Sequence, residues 1–241
     1  MSAPAHGRAR VVAAWAVHLL TASGAPAGML AILASQRGDA RTALWLMAYT
    51  LAVDAIDGTL ARAVGVKRVL PFFDGTRLDD LVDYFTYVIV PALFMLHMQL
   101  FPASVALPVA IAVTIASAYG FCRTDAKTAD HYFTGFPSYW NIVAFYLYAL
   151  GWPRAVNAAV VSLFALGVFV PIRYLYPSRT MTLRGLTVTL GLVWAAVVLY
   201  VLAQLGSAPR ALVVASLAYP VYYVALSLAL HARRAAPPPV A

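Results

Sequence analysis

A succession of apolar runs is the feature that most limits what this chain can fold into. The runs are of about 20 residues, the length at which an α-helix crosses the hydrocarbon core of a bilayer. Inside a bilayer a helix satisfies its own backbone hydrogen bonds, so the runs predict an all-α, polytopic membrane helix bundle with about eight transmembrane helices. The predicted spans are residues 22–36, 42–64, 77–99, 103–121, 138–152, 154–173, 182–204 and 209–232.

The composition agrees with a membrane protein and argues against nucleic acid as a partner. The chain has 241 residues, of which 63% are hydrophobic and 11% are charged, whereas soluble domains carry about a quarter of charged residues. The net charge is +8, but the basic residues stand singly at the ends of apolar runs. This placement suits cytoplasmic loops and anionic lipid headgroups, so we expect membrane lipids and no nucleic acid as partners.

The N-terminal region is predicted to lie outside the main bundle. Residues 1–21 are expected to form a tail and a short interfacial helix, because two arginines precede a short apolar run that ends at T-A-S-G. A signal peptide has a similar arrangement, but the apolar pattern continues through Pro26 and Gly28, which favours an interfacial helix that leads into a first span. Residues 22–234 are then predicted to form a single transmembrane domain, and residues 235–241 a disordered tail.

The distribution of lysine and arginine predicts the orientation of the bundle. Eight spans place both termini on the same side of the membrane. Thirteen basic residues fall on that side and four on the other. Because basic residues are enriched in cytoplasmic loops, both termini and the link between the second and third spans are predicted to be cytoplasmic.

Aspartates are concentrated in the link between the second and third spans. The chain has nine acidic residues, all Asp, and six of them lie within 54–83. Acids inside a membrane-spanning sequence are costly and usually functional. Asp54 and Asp57 share one face of the second predicted span, and Asp79 and Asp83 share one face of the third. We expect two antiparallel helices to direct these four carboxylates into one pocket at the cytoplasmic boundary.

Four carboxylates in one pocket predict a metal site. Their repulsion is relieved by divalent cations, and oxygen ligands suit Mg²⁺ or Mn²⁺. Gly58 and Ala61 are small residues that leave space for a ligand on the same helix face. Arg62 beside them has a guanidinium group suited to bind phosphate. Together these residues predict phosphoryl or pyrophosphate transfer. Asp74 and Asp80 are expected instead to pair with basic neighbours in a solvated loop.

The pattern D-x2-D-G-x2-A-R, followed by G-x3-D-x3-D, resembles the signature of the CDP-alcohol phosphotransferase family. The matching positions are Asp54, Asp57, Gly58, Ala61, Arg62, Gly75, Asp79 and Asp83. The resemblance implies that the four aspartates are metal ligands that hold two ions of Mn²⁺ or Mg²⁺. The resemblance further implies that Asp83 is the catalytic base. It also implies a set of nucleotide-binding residues: Asp54, Gly58, Ala61, Arg62 and Gly75.

The spacing inside the motif limits the resemblance to one group of members within this family. Twelve residues separate Arg62 from Gly75, more than in most of the family, and the spacer resembles that of bacterial members that transfer a phosphatidyl group from CDP-diacylglycerol to choline and release CMP. The segment K-T-A-D-H-Y-F-T-G-F-P-S-Y-W-N, residues 127–141, is also similar to those members. Ala55 departs from their pattern, which often has Gly there, but Ala is small enough for little effect. The resemblance implies an enzyme of the bacterial inner membrane that acts on CDP-diacylglycerol and choline as a homodimer.

An aromatic segment after the fourth span is the second candidate site. Seven aromatic residues lie between positions 119 and 140, and aromatic faces bind quaternary ammonium groups. Tyr139 and Trp140 are therefore the predicted choline-binding residues, with an aromatic belt at the membrane interface as the alternative. Arg123 and Lys127 are predicted to meet lipid phosphate, and ordinary headgroup contact is the alternative there.

Other functions stay open at this point. The same chemistry could use serine, glycerol phosphate or an inositol species as the acceptor. A divalent-cation transporter also uses intramembrane acids, but its carboxylates are expected near the membrane midplane on several helices. A non-catalytic scaffold would bind no metal at the Asp cluster.

Overall fold

The computed structural model describes residues 7–126, 128, 130, 132–177 and 179–235, and most of them are helical. The helices are α1 (Arg8–Ala22), α2 (Gly24–Gln36), α3 (Ala40–Val64), α4 (Val66–Val69), α5 (Gly75–Tyr84), α6 (Val90–His97), α7 (Ala103–Cys122), α8 (Trp140–Leu150), α9 (Arg154–Phe169), α10 (Arg184–Ala203), α11 (Arg210–Ser216) and α12 (Ala218–Ala235). A π-helical segment, Phe85–Ile89, joins α5 to α6. Two short strands, β1 (Tyr132–Thr134) and β2 (Arg173–Leu175), pair antiparallel, with Tyr132 opposite Leu175.

Six helical stretches of the described chain, some of which join consecutive helices, are long and apolar enough to cross a membrane. They confirm the predicted all-α membrane bundle. They are Arg8–Gln36, Ala40–Val64, Gly75–His97, Ala103–Cys122, Arg184–Ala203 and Arg210–Arg233. The predicted fifth and sixth spans are also helices, α8 and α9, but they have 11 and 16 residues. Both are shorter than the about 20 residues of a perpendicular span, so their crossing of the membrane stays a prediction.

The predicted boundary between an interfacial helix and the first span lies close to Ser23. This residue keeps helical dihedral angles, φ −63° and ψ −18°, so α2 follows α1 after a single residue. The helix α1 also has a buried face, because Ala14 and Val17 pack against the apolar side chains of α4. The interfacial position of α1 stays a prediction, but its inner face belongs to the core.

The chain forms two compact units, the first ending at Met98 and the second beginning at Gln99. The domain predicted for residues 22–234 therefore contains parts of both units. The first unit holds α1 to α6 and the whole Asp-rich stretch, and the second holds the aromatic segment, the sheet and the remaining helices.

Two glycines bring α2 close to the helix that carries Asp79. A Cβ atom would lie 2.7 Å from Val82 Cγ1 at Gly24, and 2.7 Å from Phe85 Cε1 at Gly28. Real Cβ atoms essentially never come this close to another atom, so a larger residue at either position would have to displace Val82 or Phe85. Small residues four positions apart allow the same close packing between helices in membranes. The pair thus fixes α5 and the π segment against α2.

One glycine of the second unit has a comparable role next to the sheet. Gly135 has a φ of +81°, and a Cβ there would lie 2.2 Å from the carbonyl oxygen of Val168. Its N–H donates to the carbonyl of Ile172 at 2.8 Å, and the N–H of Phe136 donates to the carbonyl of Gly167 at 3.0 Å. These bonds attach the residues after β1, in the last part of the aromatic segment, to the end of α9.

Candidate active site

Three of the four predicted pocket aspartates converge in the first unit. Asp54, Asp57 and Asp79 each offer one carboxylate oxygen, and these oxygens all lie within 4.8 Å of one another. Asp54 and Asp57 are one turn apart on α3, whereas Asp79 lies on α5. The group therefore forms where two helices meet, as the helical spacing predicts.

Asp57 is the most deeply buried member of the group. Its exposed fraction is 4%, and its Oδ2 accepts a hydrogen bond of 2.7 Å from the hydroxyl of Thr21 on α1. No ion pair between Asp57 and a basic side chain occurs among the described residues. A buried carboxylate with one neutral donor keeps most of its charge uncompensated, and such burial is costly without a counter-charge. A divalent cation held by the three carboxylates fits this need.

Asp54 is held by a residue of the π segment. Its Oδ2 accepts a hydrogen bond of 2.6 Å from the hydroxyl of Tyr87, which is itself buried. A π turn is wider than an α turn, so each residue advances less around the helix axis, and such turns are frequent at functional sites. The hydrogen bond of Tyr87 thus connects this segment to Asp54 on α3.

Asp83 has a different position from the other three aspartates. It lies one turn beyond Asp79 on α5 and is half-buried. The group of three carboxylates whose oxygens come within 4.8 Å does not include it. Asp83 thus lies beside the candidate metal centre on the same helix as one of its members.

The predicted nucleotide-binding residues of α3 have contrasting surroundings. A Cβ atom at Gly58 would meet one described side chain within 4 Å, that of Arg62, with Nη1 at 3.4 Å. Arg62 is exposed, and its Nη2 donates to Thr59 Oγ1 at 3.0 Å. Ala61 instead packs against the apolar cluster of α1 and α4. Gly58, which directly follows Asp57, therefore has only the side chain of Arg62 close to it among the described residues.

Gly75 begins α5 and is required by the packing of that helix end. A Cβ atom there would lie 2.5 Å from Cε1 of His18, so the imidazole occupies the space that a side chain would need. The preceding residue, Asp74, caps the helix by accepting hydrogen bonds from the backbone N–H groups of Thr76 and Arg77 at 3.1 and 3.2 Å. Its carboxylate also lies 3.5 Å from Arg77 Nε. Asp74 therefore pairs with a basic neighbour as predicted, and the capping role is an addition.

Three residues that sequence reasoning missed lie in this unit. Thr21 and Tyr87 donate to the aspartates, and His18 is buried, with its Nε2 lacking a hydrogen-bond partner among the described residues. Tyr87 follows Asp83 by four positions, so its helix face was a usable signal. Thr21 and Asp57 are 36 residues apart, and no local pattern connects them.

Arg123, predicted to contact lipid phosphate, is engaged by a protein carboxylate. Its Nε and Nη2 donate to Oδ1 and Oδ2 of Asp125 at 2.8 and 2.7 Å. This bidentate hydrogen bonding holds the pKa of Asp125 below its usual range. The guanidinium also lies 5.6 Å from the ring centroid of Tyr119. Lipid-phosphate contact by Arg123 stays a prediction, and Lys127 lies outside the described residues.

Tyr139 and Trp140, the predicted choline-binding residues, have different environments in the second unit. Tyr139 lines a cavity of about 540 Å³. Trp140 has no exposed surface, and its indole N–H donates to Ser117 Oγ at 2.7 Å. Trp140 is thus a packing residue at the start of α8 and does not line the cavity. The other aromatic residues that line it include Phe136, Tyr174, Trp194, Tyr219 and Tyr223, and no charged side chain of the described chain lines it.

The chain is similar to bacterial proteins named phosphatidylcholine synthase. It is 50% identical over 168 residues to that of Legionella pneumophila, which covers 69% of this chain and 66% of the relative. It is 38% identical over 181 residues to that of Pseudomonas aeruginosa, covering 75% and 76%, and 33% identical over 219 residues to that of Rhizobium meliloti, covering 91% of both. The match thus spans just under two thirds of the Legionella pneumophila protein. No family model matches the chain.

Because Asp57 is buried, we expect Mn²⁺ to raise the Tm of the protein, and we expect the substitution Asp57→Asn to abolish this rise. Mn²⁺ should raise the Tm of the wild-type protein in detergent, with a stabilisation of about 2.7 kcal/mol at a hundred times the Kd. Asp57→Asn removes a buried charge, so the metal-free variant should have a Tm equal to or above that of metal-free wild type, and Mn²⁺ should no longer raise it. Asp80→Asn, an exposed change on α5, is the control and should keep the Mn²⁺ effect. An unchanged Mn²⁺ effect in Asp57→Asn would contradict the assignment.

Proposed function

We propose a function from one premise, which is that the chain belongs to the phosphatidylcholine synthase family. We propose that it transfers the phosphatidyl group of CDP-diacylglycerol to choline, forming phosphatidylcholine and releasing CMP. The observation that carries the proposal is the convergence of Asp54, Asp57 and Asp79 from the D-x2-D-G motif and its partner helix. Relatives at 33% to 50% identity bear the name of that activity.

The aspartates would hold the metal ions of the reaction. Asp54, Asp57 and Asp79 provide three converging carboxylates, and Asp83 is proposed as a further ligand. When bound, two ions of Mn²⁺ or Mg²⁺ would neutralise the pyrophosphate and the charge that develops on the leaving phosphate. The uncompensated charge of Asp57 supports this assignment, because the protein itself supplies one neutral donor there.

Asp83 is proposed as the general base. Its carboxylate would take the proton of the choline hydroxyl while the choline oxygen forms a bond to the phosphorus that carries diacylglycerol. The bond from that phosphorus to the oxygen of the CMP phosphate breaks, and CMP leaves with the electron pair. The position of Asp83 beside the group of three, and outside it, supports this role.

Gly58 and Arg62 are proposed to contact the cytidine nucleotide. Arg62 is exposed and lies close to Gly58, and its planar guanidinium is suited to bidentate contact with phosphate. The nucleotide-binding assignments of Asp54, Ala61 and Gly75 stay predictions. Ala61 and Gly75 pack toward α1.

The aromatic cavity of the second unit is proposed as the choline pocket, with Tyr139 as one of its walls. A quaternary ammonium has no N–H group, so aromatic faces are suited to bind it. Since no charged side chain of the described chain lines the cavity, the rings would supply the attraction. Trp140 would contribute indirectly, because its hydrogen bond to Ser117 fixes the helix turn that follows Tyr139.

The location and assembly are proposed on separate grounds. The excess of basic residues on the side of the termini supports cytoplasmic termini, and the bacterial relatives support the inner membrane. The homodimer rests on the family resemblance alone.

An acceptor screen tests the proposed reaction. Purified protein supplied with CDP-diacylglycerol, Mn²⁺ and choline should release CMP, measured by chromatography, and form phosphatidylcholine. Serine, glycerol phosphate or inositol in place of choline should leave CMP at the level without acceptor. Release that depends on one of these alcohols instead of choline would assign a different acceptor. Uptake of Mn²⁺ into proteoliposomes without nucleotide would support the transporter alternative.

The substitution Asp83→Asn tests the general base. Loss of the base should lower kcat about a hundredfold or more, because the amide cannot accept the proton of choline. Asp80→Asn, three residues away and exposed, should keep wild-type turnover. Near-normal turnover by Asp83→Asn would exclude this residue as the base.

Two variants of Tyr139 test the choline pocket. Tyr139→Leu keeps apolar bulk but removes the aromatic face, so the KM for choline should rise about fivefold, as expected for a loss of about 1 kcal/mol of cation–π attraction. Tyr139→Phe keeps the ring and should keep the KM. Tyr119→Leu, outside the cavity, is the control. Equal KM values for the Leu and Phe variants of Tyr139 would remove it from the pocket.

A further inference from the structure

We infer that Thr21 and Tyr87 are positioning residues of the metal centre, each holding one aspartate ligand in its binding orientation through a hydroxyl hydrogen bond. The inference rests on the metal site of the proposed function and extends it to two residues outside the D-x2-D-G motif. Neither residue is proposed to touch the ion.

The geometry of the two hydrogen bonds is closely similar. Thr21 donates to Oδ2 of Asp57 at 2.7 Å, and Tyr87 donates to Oδ2 of Asp54 at 2.6 Å. Both distances are in the short range of hydroxyl hydrogen bonds to a charged oxygen. Both donors are buried, with exposed fractions of 7% and 6%, so the two hydroxyls are shielded from bulk water.

Thr21 makes an unusual choice of partner for a threonine in a helix. Such hydroxyls usually bond to a carbonyl one turn earlier in the same helix. That carbonyl, of Val17, lies 3.4 Å from Thr21 Oγ1, whereas the carboxylate of Asp57 lies at 2.7 Å. A hydroxyl has a single proton, and the shorter distance assigns it to Asp57.

A neutral donor is the chemically suitable partner for a carboxylate that must bind a cation. A lysine or arginine would hold the carboxylate equally well, but it would also neutralise the charge that attracts the ion. A hydroxyl occupies one of about four lone-pair sites of the carboxylate and leaves its charge in place. Hydrogen bonds of this kind orient metal ligands, and their loss typically weakens metal binding about 10- to 100-fold.

The two hydrogen bonds also connect the metal ligands to other helices. Both aspartates lie on α3, whereas Thr21 lies near the end of α1 and Tyr87 in the π segment. Each ligand is therefore fixed from a neighbouring helix as well as by its own. The packing of α1 and of the π segment thus contributes to the direction of the carboxylates.

Mn²⁺ binding in the absence of substrate tests the inference. Free Mn²⁺ is titrated by electron paramagnetic resonance against the full-length protein in detergent. Thr21→Val and Tyr87→Phe should each raise the Kd for Mn²⁺ about 10- to 100-fold, because each removes a hydroxyl and keeps the side-chain shape. Thr21→Ser keeps the hydroxyl, so its Kd for Mn²⁺ should stay near the wild-type value.

Two control variants separate positioning from general packing. Thr86→Val removes a buried hydroxyl that bonds to the carbonyl of Val82 in its own helix. Tyr49→Phe removes a hydroxyl that pairs with Ser23, 2.7 Å away, and so also connects α3 to the end of α1. Neither hydroxyl touches an aspartate, so both controls should keep the wild-type Kd.

Turnover gives a second readout. If the two residues position ligands, the activity of Thr21→Val and Tyr87→Phe should recover at saturating Mn²⁺. The KM for Mn²⁺ should rise in both variants, whereas kcat should change little. Wild-type Kd values in both variants would overturn the inference while leaving the proposed reaction intact. A wild-type protein that binds Mn²⁺, responds to the variants as expected and releases no CMP would overturn the proposed function alone. A wild-type protein that binds no Mn²⁺ would overturn both.

Discussion

The buried negative charge of Asp57 is the constraint on which the first unit depends. With 4% of its surface exposed and one neutral donor among the described residues, this carboxylate needs a counter-charge close by. In a protein interior an unpaired ion costs several kcal/mol. The carboxylates of Asp54 and Asp79 add negative charge within 4.8 Å, and this arrangement favours the binding of a cation. The buried charge of Asp57 is therefore also the basis of the metal site proposed for this unit.

The packing around the aspartates determines how well that site is formed. Gly24 and Gly28 let α2 approach the helix of Asp79 and the π segment so closely that a Cβ atom at either position would displace a neighbouring side chain. At the start of the same helix, the imidazole of His18 fills the space above Gly75. These contacts fix the helices, and the hydroxyls that reach the aspartates from α1 and the π segment then fix the carboxylates. A phosphoryl-transfer site gains from such preorganisation because its catalysis consists mostly of positioning and electrostatics.

The two units differ in the charge of their side chains. The second unit contains two acidic residues, Asp125 and Asp130, and both pair with arginine, at 2.7 and 3.3 Å. Its aromatic cavity has no charged lining among the described residues. The converging carboxylates therefore lie in the first unit, whereas the cavity of the second unit has an apolar and aromatic lining.

The sequence by itself determined the helical bundle and the faces of the aspartate helices, because bilayer thickness and helix periodicity act through local spacing. It did not determine that Trp140 is a core residue while its neighbour Tyr139 lines a cavity, or that Thr21 donates to Asp57. Those features depend on where helices distant in the chain cross one another. Helix crossing is decided by the fit of side chains at the contact, including glycines and a π turn that interrupt the regular period. Only the tertiary structure therefore decided which hydroxyl reaches which carboxylate.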